Sequence, residues 1–141
     1  MIDFESQSAR TLLALAGGRN GIDAARCSLV FAHLGTAERL RRCLRSALAR
    51  HGLSDLQFAV LVVLFEIEPE SAPMAVLANR AGVSRSAATD ALDTLEALRL
   101  ASRTRDHRDR RVIQVRITAA GRAKVDRAIS DYLHAAVHLS E

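Results

Sequence analysis

Apolar residues recur at helical intervals through most of this chain, and the places where the pattern stops divide it into segments. Residues 8–16, "SARTLLALA", predict a short helix that "GGRNG" at 17–21 breaks. From Ile22 to His51 the stripe Ile22, Leu29, Val30, Leu34, Ala37, Leu40, Leu44 and Leu48 predicts one long helix, with "ERLRR" on the opposite face and Gly52 as its stop. Ser54 or Asp55 caps a second helix through "LQFAVLVVLFEIE", whose near-total hydrophobicity marks it as buried on most sides. "PESAP" forms a turn in which Pro73 suits a first helical position, and "MAVLANRA" is a short helix ending at Gly82. In "VSRSAATDALDTLEALRL", Ser84 is a good N-cap, and Ala88, Ala91, Leu92, Leu95 and Leu98 share one face. Arg85, Ser86, Thr89, Asp90 and Asp93 are left on the other.

Residues 100–105 and Val112–Thr118 alternate as two antiparallel strands, with "DHRDRR" as the tip between them. Thr118 caps a last helix carrying Val125, Ile129, Leu133 and Val137 at four-residue spacing. The expected fold class is therefore mainly α with a small β-hairpin. Its two short helices meet across the tight "AGVS" turn in a helix-turn-helix pattern.

Composition narrows the function classes. The 141 residues, 49% apolar and 26% charged, are expected to form one compact unit. The longest apolar run, Phe58 to Phe65, is eight residues against the roughly 20 that a membrane span needs. "MIDFESQ" carries acids where a secretory signal carries basic residues, so a cytoplasmic protein is expected. No Gly-rich phosphate loop, nucleophile pattern or metal-ligand cluster argues for an enzyme or a cofactor. His134 and His138 stand at i, i+4, a spacing that holds metals elsewhere, but no acid or thiol is adjacent in sequence to complete a site. Cys27 and Cys43 lie on the same predicted helix, about 24 Å apart along it, too far for a disulfide. Two buried reduced thiols is the plain reading, and a bond between chains or a redox-sensing thiol, at Cys27 or Cys43, is the alternative.

The charge that matters is local. Between Arg99 and Arg116 seven arginines face two aspartates, an excess larger than the net +4 of the whole chain. Such a hairpin tip standing alone is ordinarily just solvated. Beside a helix-turn-helix it has a second use, because one helix can enter the major groove of duplex DNA while an arginine of the hairpin reaches the negative minor groove.

The segments "LANRAGVSRSAATDALDTLE" and "DHRDRRVIQVRITAAG" resemble the multiple antibiotic resistance regulator (MarR) family of winged-helix transcription factors, and the resemblance runs from about Leu29 onward. Asp109 and Arg111 fall on that family's Asp-x-Arg wing positions, and Ile117, Thr118 and Gly121 on its strand-to-helix junction. The resemblance implies that Arg111 is the wing-tip arginine that enters the minor groove and that Asp109 orients its neighbours. Arg105, Arg108 and Arg110 complete the wing set, with Arg108 and Arg110 on phosphates. Ser84, Arg85, Ser86, Thr89 and Asp90 match the DNA-facing positions of the recognition helix, Arg85 being the guanine reader on geometry.

It further implies a homodimer built by residues 1–51 and 118–141 around a winged helix-turn-helix at 52–117. This dimer would act as a repressor that binds a pseudo-palindromic double-stranded operator and is released from it by a small-molecule effector. Three positions depart from the family pattern: Asp90 stands where a basic residue is common, Arg99 where a glycine ends the helix, and the chain stops at Glu141 where a further helix is usual. Residues 1–20 are expected to replace that helix. Two readings of other kinds stay open, a thiol-based oxidant sensor using Cys27, and a protein-docking module in which Asp90 and a near-neutral recognition helix reflect lost DNA binding.

Overall fold

The computed structural model describes residues 2–140, which fall into two compact units, 1–44 and 45–141. The first unit is helical. Ser6 caps α1 (Gln7–Ala16), and α2 (Ala24–Ala49) begins after the turn and runs on into the second unit. Within the first unit the segment before α1 is tied to α2. The Phe4 ring meets Phe31 edge-on at 5.1 Å, its backbone N–H donates to Glu38, and Glu5 accepts from Arg39 at 2.7 Å and Arg42 at 3.0 Å. Leu29, Val30, Leu34 and Leu40, the stripe expected on this long helix, are all exposed in the single chain.

The second unit is built around α3 (Asp55–Ile67), the apolar rod expected from "LQFAVLVVLFEIE". Ser54 starts it with a reciprocal capping box to Gln57. Val60, Leu61 and Leu64 are fully buried, and Leu77, Leu92, Leu95, Val115 and Val125 close around them from four elements of the chain. Three of those residues come from α4 (Met74–Ala81) and α5 (Arg85–Ala97), the helix pair, which turn through Gly82 in a left-handed conformation at φ 70°. Ser84 caps α5 as expected, accepting from Ala87 N.

The sheet has three strands where the sequence pattern shows two. β2 (Ala101–Arg105) and β3 (Ile113–Ile117) form the hairpin, and β1 (Ala72–Pro73) pairs with the other edge of β3, giving the order β1-β3-β2. Two residues ending in a proline carry no alternation to read, and an edge is where a strand proline belongs. Pro73 accordingly sits one place earlier than expected, as the N-cap of α4.

A second correction concerns Leu98. The helix period puts it on the core face, but α5 ends at Ala97 and Arg99 takes φ 60°, so the chain turns away, Leu98 is exposed and Leu100 is buried instead. The left-handed cap survives without glycine: the Leu100 N–H reaches back to the Leu95 carbonyl at 2.8 Å, in the six-to-one pattern of such caps.

That cap is fastened to α6 (Ala119–His138). Thr118 donates its N–H to the Leu100 carbonyl at 3.1 Å and its hydroxyl to the Arg99 carbonyl at 2.7 Å, and the same hydroxyl accepts from Gly121 N. A Cβ on Gly121 would lie 1.9 Å from the Leu100 carbonyl oxygen, inside any tolerable contact. Val125 and Ala128 on the same helix are buried, whereas Leu133 and Val137 further along are exposed.

Gly121→Ala should therefore cost about 2–3 kcal/mol by forcing two backbones apart, while Arg99→Gly should gain about 1 kcal/mol by relieving the left-handed residue. Urea unfolding checks both, with the midpoint moving and the slope unchanged. A lower midpoint for Arg99→Gly would mean that the arginine side chain contributes more than its backbone conformation costs.

Candidate nucleic-acid interface

The exposed side of α5 and the hairpin border one cleft of about 260 Å³, lined by Pro73, Met74, Arg85, Thr89, Arg103 and Arg111 among others. The structure thus brings Arg85 and Thr89 of the helix together with Arg111 of the hairpin, although 22 residues separate the last pair in sequence. Ser84 is spent on the helix cap. Ser86 and Asp90 are exposed along the outer ridge of α5, and Arg108 and Arg110 are exposed at the hairpin tip.

The tip is held by carboxylates. Asp106 accepts from the Arg108 N–H at 2.7 Å, the Asp109 N–H at 3.3 Å and the Gln114 side-chain amide at 3.0 Å. Those donors, the Arg108 backbone foremost, hold the Asp106 carboxyl below its ordinary value of 3.8. Gln114 in turn accepts from the Ser71 hydroxyl at 3.1 Å, so a polar relay runs from the residue before β1 through β3 into the tip. Asp109 accepts from both the backbone N–H and Nε of Arg111, at 3.0 and 3.2 Å, which lowers its own pKa, the side-chain bond being the larger cause. The Arg111 side chain stays 90% exposed despite that bond. Its direction is set while its surface remains open.

Two arginines have other employment. Arg105, one of the expected wing residues, donates from Nη1 to the Arg110 carbonyl at 2.9 Å and braces the loop from inside. Arg103 lies half-buried on β2 and bridges to α5, with Nη2 at 2.7 Å from Asp93 Oδ1 and 3.2 Å from Glu96 Oε1. This bridge lowers the Glu96 pKa and raises that of Arg103. Sequence reading missed both Asp106 and Arg103. Their only signal was a carboxylate two residues before the tip and an arginine at an inward position of an alternating strand.

The remaining candidates lie elsewhere. Cys27 and Cys43 sit on α2 as free thiols, Cys27 half-buried and Cys43 exposed, which corrects the expectation of two buried thiols. His134 and His138 are exposed on α6, and among the described residues no three His, Cys, Asp or Glu side chains gather as a metal site would need. No helix among them is long and apolar enough to cross a membrane.

The sequence model of the MarR family matches residues 51–112, which span α3, the helix pair and most of the hairpin. The HTH-type transcriptional repressor YetL of Bacillus subtilis (strain 168) is 27% identical over 105 residues, 74% of this chain and 63% of its own length. Over these residues the chain is similar to regulators of the MarR family. Among solved structures, the transcriptional repressor CouR, bound to a 23-mer DNA duplex, is similar at 29% identity and TM-score 0.65, over 73% of this chain and 71% of that one. A MarR-family regulator from Rhodococcus sp. RHA1 superposes at TM-score 0.71 with 25% identity, over 81% and 79%. The chain spans just under two thirds of YetL, and the segment that the MarR model matches includes the helix pair and the arginines of the hairpin tip.

Both aspartates of the tip titrate below their ordinary value in the folded protein, so their hold on the loop is complete above that value and lost only as pH falls through the folded pKa. Backbone amide resonances of Arg108, Asp109 and Arg111 should stay fixed from neutral pH down to about pH 5 and move together below about pH 4. Movement between about pH 5 and 6 would show that these carboxylates do not hold the tip.

Proposed function

We propose that this chain is a sequence-specific regulator of the MarR type that binds double-stranded DNA, acting in the cytoplasm as a homodimeric repressor. The observation that carries the reading is the pairing of an open, directed Arg111 with the exposed face of α5 across one cleft. That arrangement offers a helix to the major groove and an arginine to the adjoining minor groove. Arg108 and Arg110 take phosphates, which strengthens binding without reading sequence. Arg85, Ser86, Thr89 and Asp90 meet base edges, and Ser84 and Arg105 support them from behind. The names of YetL and CouR as repressors, and the duplex bound to CouR, support the same reading.

Residues 52–117 form the DNA-binding region in this proposal, and residues 1–51 and 118–141 the dimer. The first unit exposes the leucines and valines of α2 and the second exposes Leu133 and Val137 of α6, apolar groups of the kind that a second copy would cover. A two-fold pair would set its recognition helices about one DNA turn, roughly 34 Å, apart on a pseudo-palindrome. A small-molecule effector would release the operator by changing that separation.

Fluorescence-anisotropy titrations of duplex from upstream of the coding region, beside a scrambled duplex at several salt concentrations, test the proposal. Wild type should prefer the upstream duplex. Arg111→Ala should lose about tenfold or more of that affinity, and Arg108→Ala should weaken both duplexes alike and reduce the salt slope by about one. Equal, weak binding to both duplexes that neither variant alters would overturn the reading. Light scattering should give twice the chain mass at working concentration, and a monomer would remove the dimer from it.

A further inference from the structure

The outer face of α5 has the wrong charge for gripping phosphate. Its one arginine, Arg85, is outnumbered by Asp90, Asp93 and Glu96. Asp93 and Glu96 share one partner, Arg103 of β2, whose single guanidinium offsets one of their two charges. Asp90 has no such partner. It is exposed and makes no hydrogen bond or ion pair with any described residue.

Its position is central. Ala88, Ala91, Leu92 and Leu95 form the buried stripe of α5, and at about 100° per residue Ser86 and Asp90 lie on the opposite ridge, about 40° apart. A helix lying in the major groove presents that ridge to the base edges. There a carboxylate is repelled by the phosphates on both walls and by the acceptor atoms of guanine and thymine, and its matched partner is the amino group of cytosine.

We infer that Asp90 is a specificity-determining residue that selects cytosine at one position of each operator half-site. This rests on the DNA-binding reading above and refines it. Asp90 contributes discrimination and not affinity, because it penalises every duplex lacking the amino group in its place. In a two-fold dimer the selected cytosine recurs symmetrically in the second half-site. The wing arginines supply the attraction that lets the helix carry a repelling group.

Selection from a duplex library randomised across both half-sites, sequenced after enrichment on wild type, Asp90→Ala and Asp90→Asn, tests the assignment. Circular dichroism confirms that the variants are folded. Wild type should enrich cytosine at one symmetric position. Asp90→Ala should lose that preference by about tenfold or more while keeping the rest of the motif and binding unrelated duplex more tightly. Asp90→Asn should turn the same position toward adenine, the base that an asparagine amide pairs with. Motifs identical position for position in all three proteins would overturn the assignment and leave the regulator reading standing. If wild type itself enriches no motif, base reading by this helix fails, and the role of Asp90 fails with it.

Discussion

Everything that positions the candidate interface passes through the close approach of Gly121 to the carbonyl of Leu100. The recognition helix ends there, the first wing strand begins there, and α6 starts there. Thr118 ties the three with its N–H and its hydroxyl, the hydroxyl both donating to Arg99 and accepting from Gly121. With no side chain at 121, two backbones meet at a distance that no other residue allows. The angle between α5 and the hairpin is set at this node and held further along by the bridge of Arg103 to Asp93 and Glu96, and with it the relation of Arg85 to Arg111.

Around the node, attraction and discrimination are divided between elements. The hairpin carries exposed arginines on a loop shaped by Asp106 and Asp109, while the helix carries mostly acids, two of which share the one guanidinium of Arg103. Exposed cations on a thin projection favour any polyanion. A ridge with the unpaired carboxylate of Asp90 on it suits, in the proposed reading, one edge of one base pair. Neither element would serve alone as a selective DNA reader.

The parts of this fold that could be read in the sequence are those with local causes. Ser54, Ser84 and Thr118 cap the helices they precede because a hydroxyl reaches only the next three residues. The apolar rod of α3 is legible because burial on most sides needs continuous hydrophobicity. What escaped reading acts across distance. β1 exists only because β3 lies beside it, and Leu98 left the core because Arg99 adopts a conformation that glycine usually marks. Of the candidate site, the arginines were legible as a cluster, but their division of labour was not. Nothing in "RTRDHRDRR" separates Arg105, which braces the loop, from Arg111, which is left open.

The relay from Ser71 through Gln114 to Asp106 has a consequence for how such a protein diversifies. The relay holds the tip through a hydroxyl, an amide and a carboxylate, Arg105 braces it through the Arg110 carbonyl, and the side chains of Arg108 and Arg110 take part in neither. Arg108 and Arg110 can therefore be exchanged for other side chains without the loop losing its form. A lineage carrying this scaffold is free to retune how strongly it holds its target by single substitutions, one at a time, with no penalty in foldability along the way.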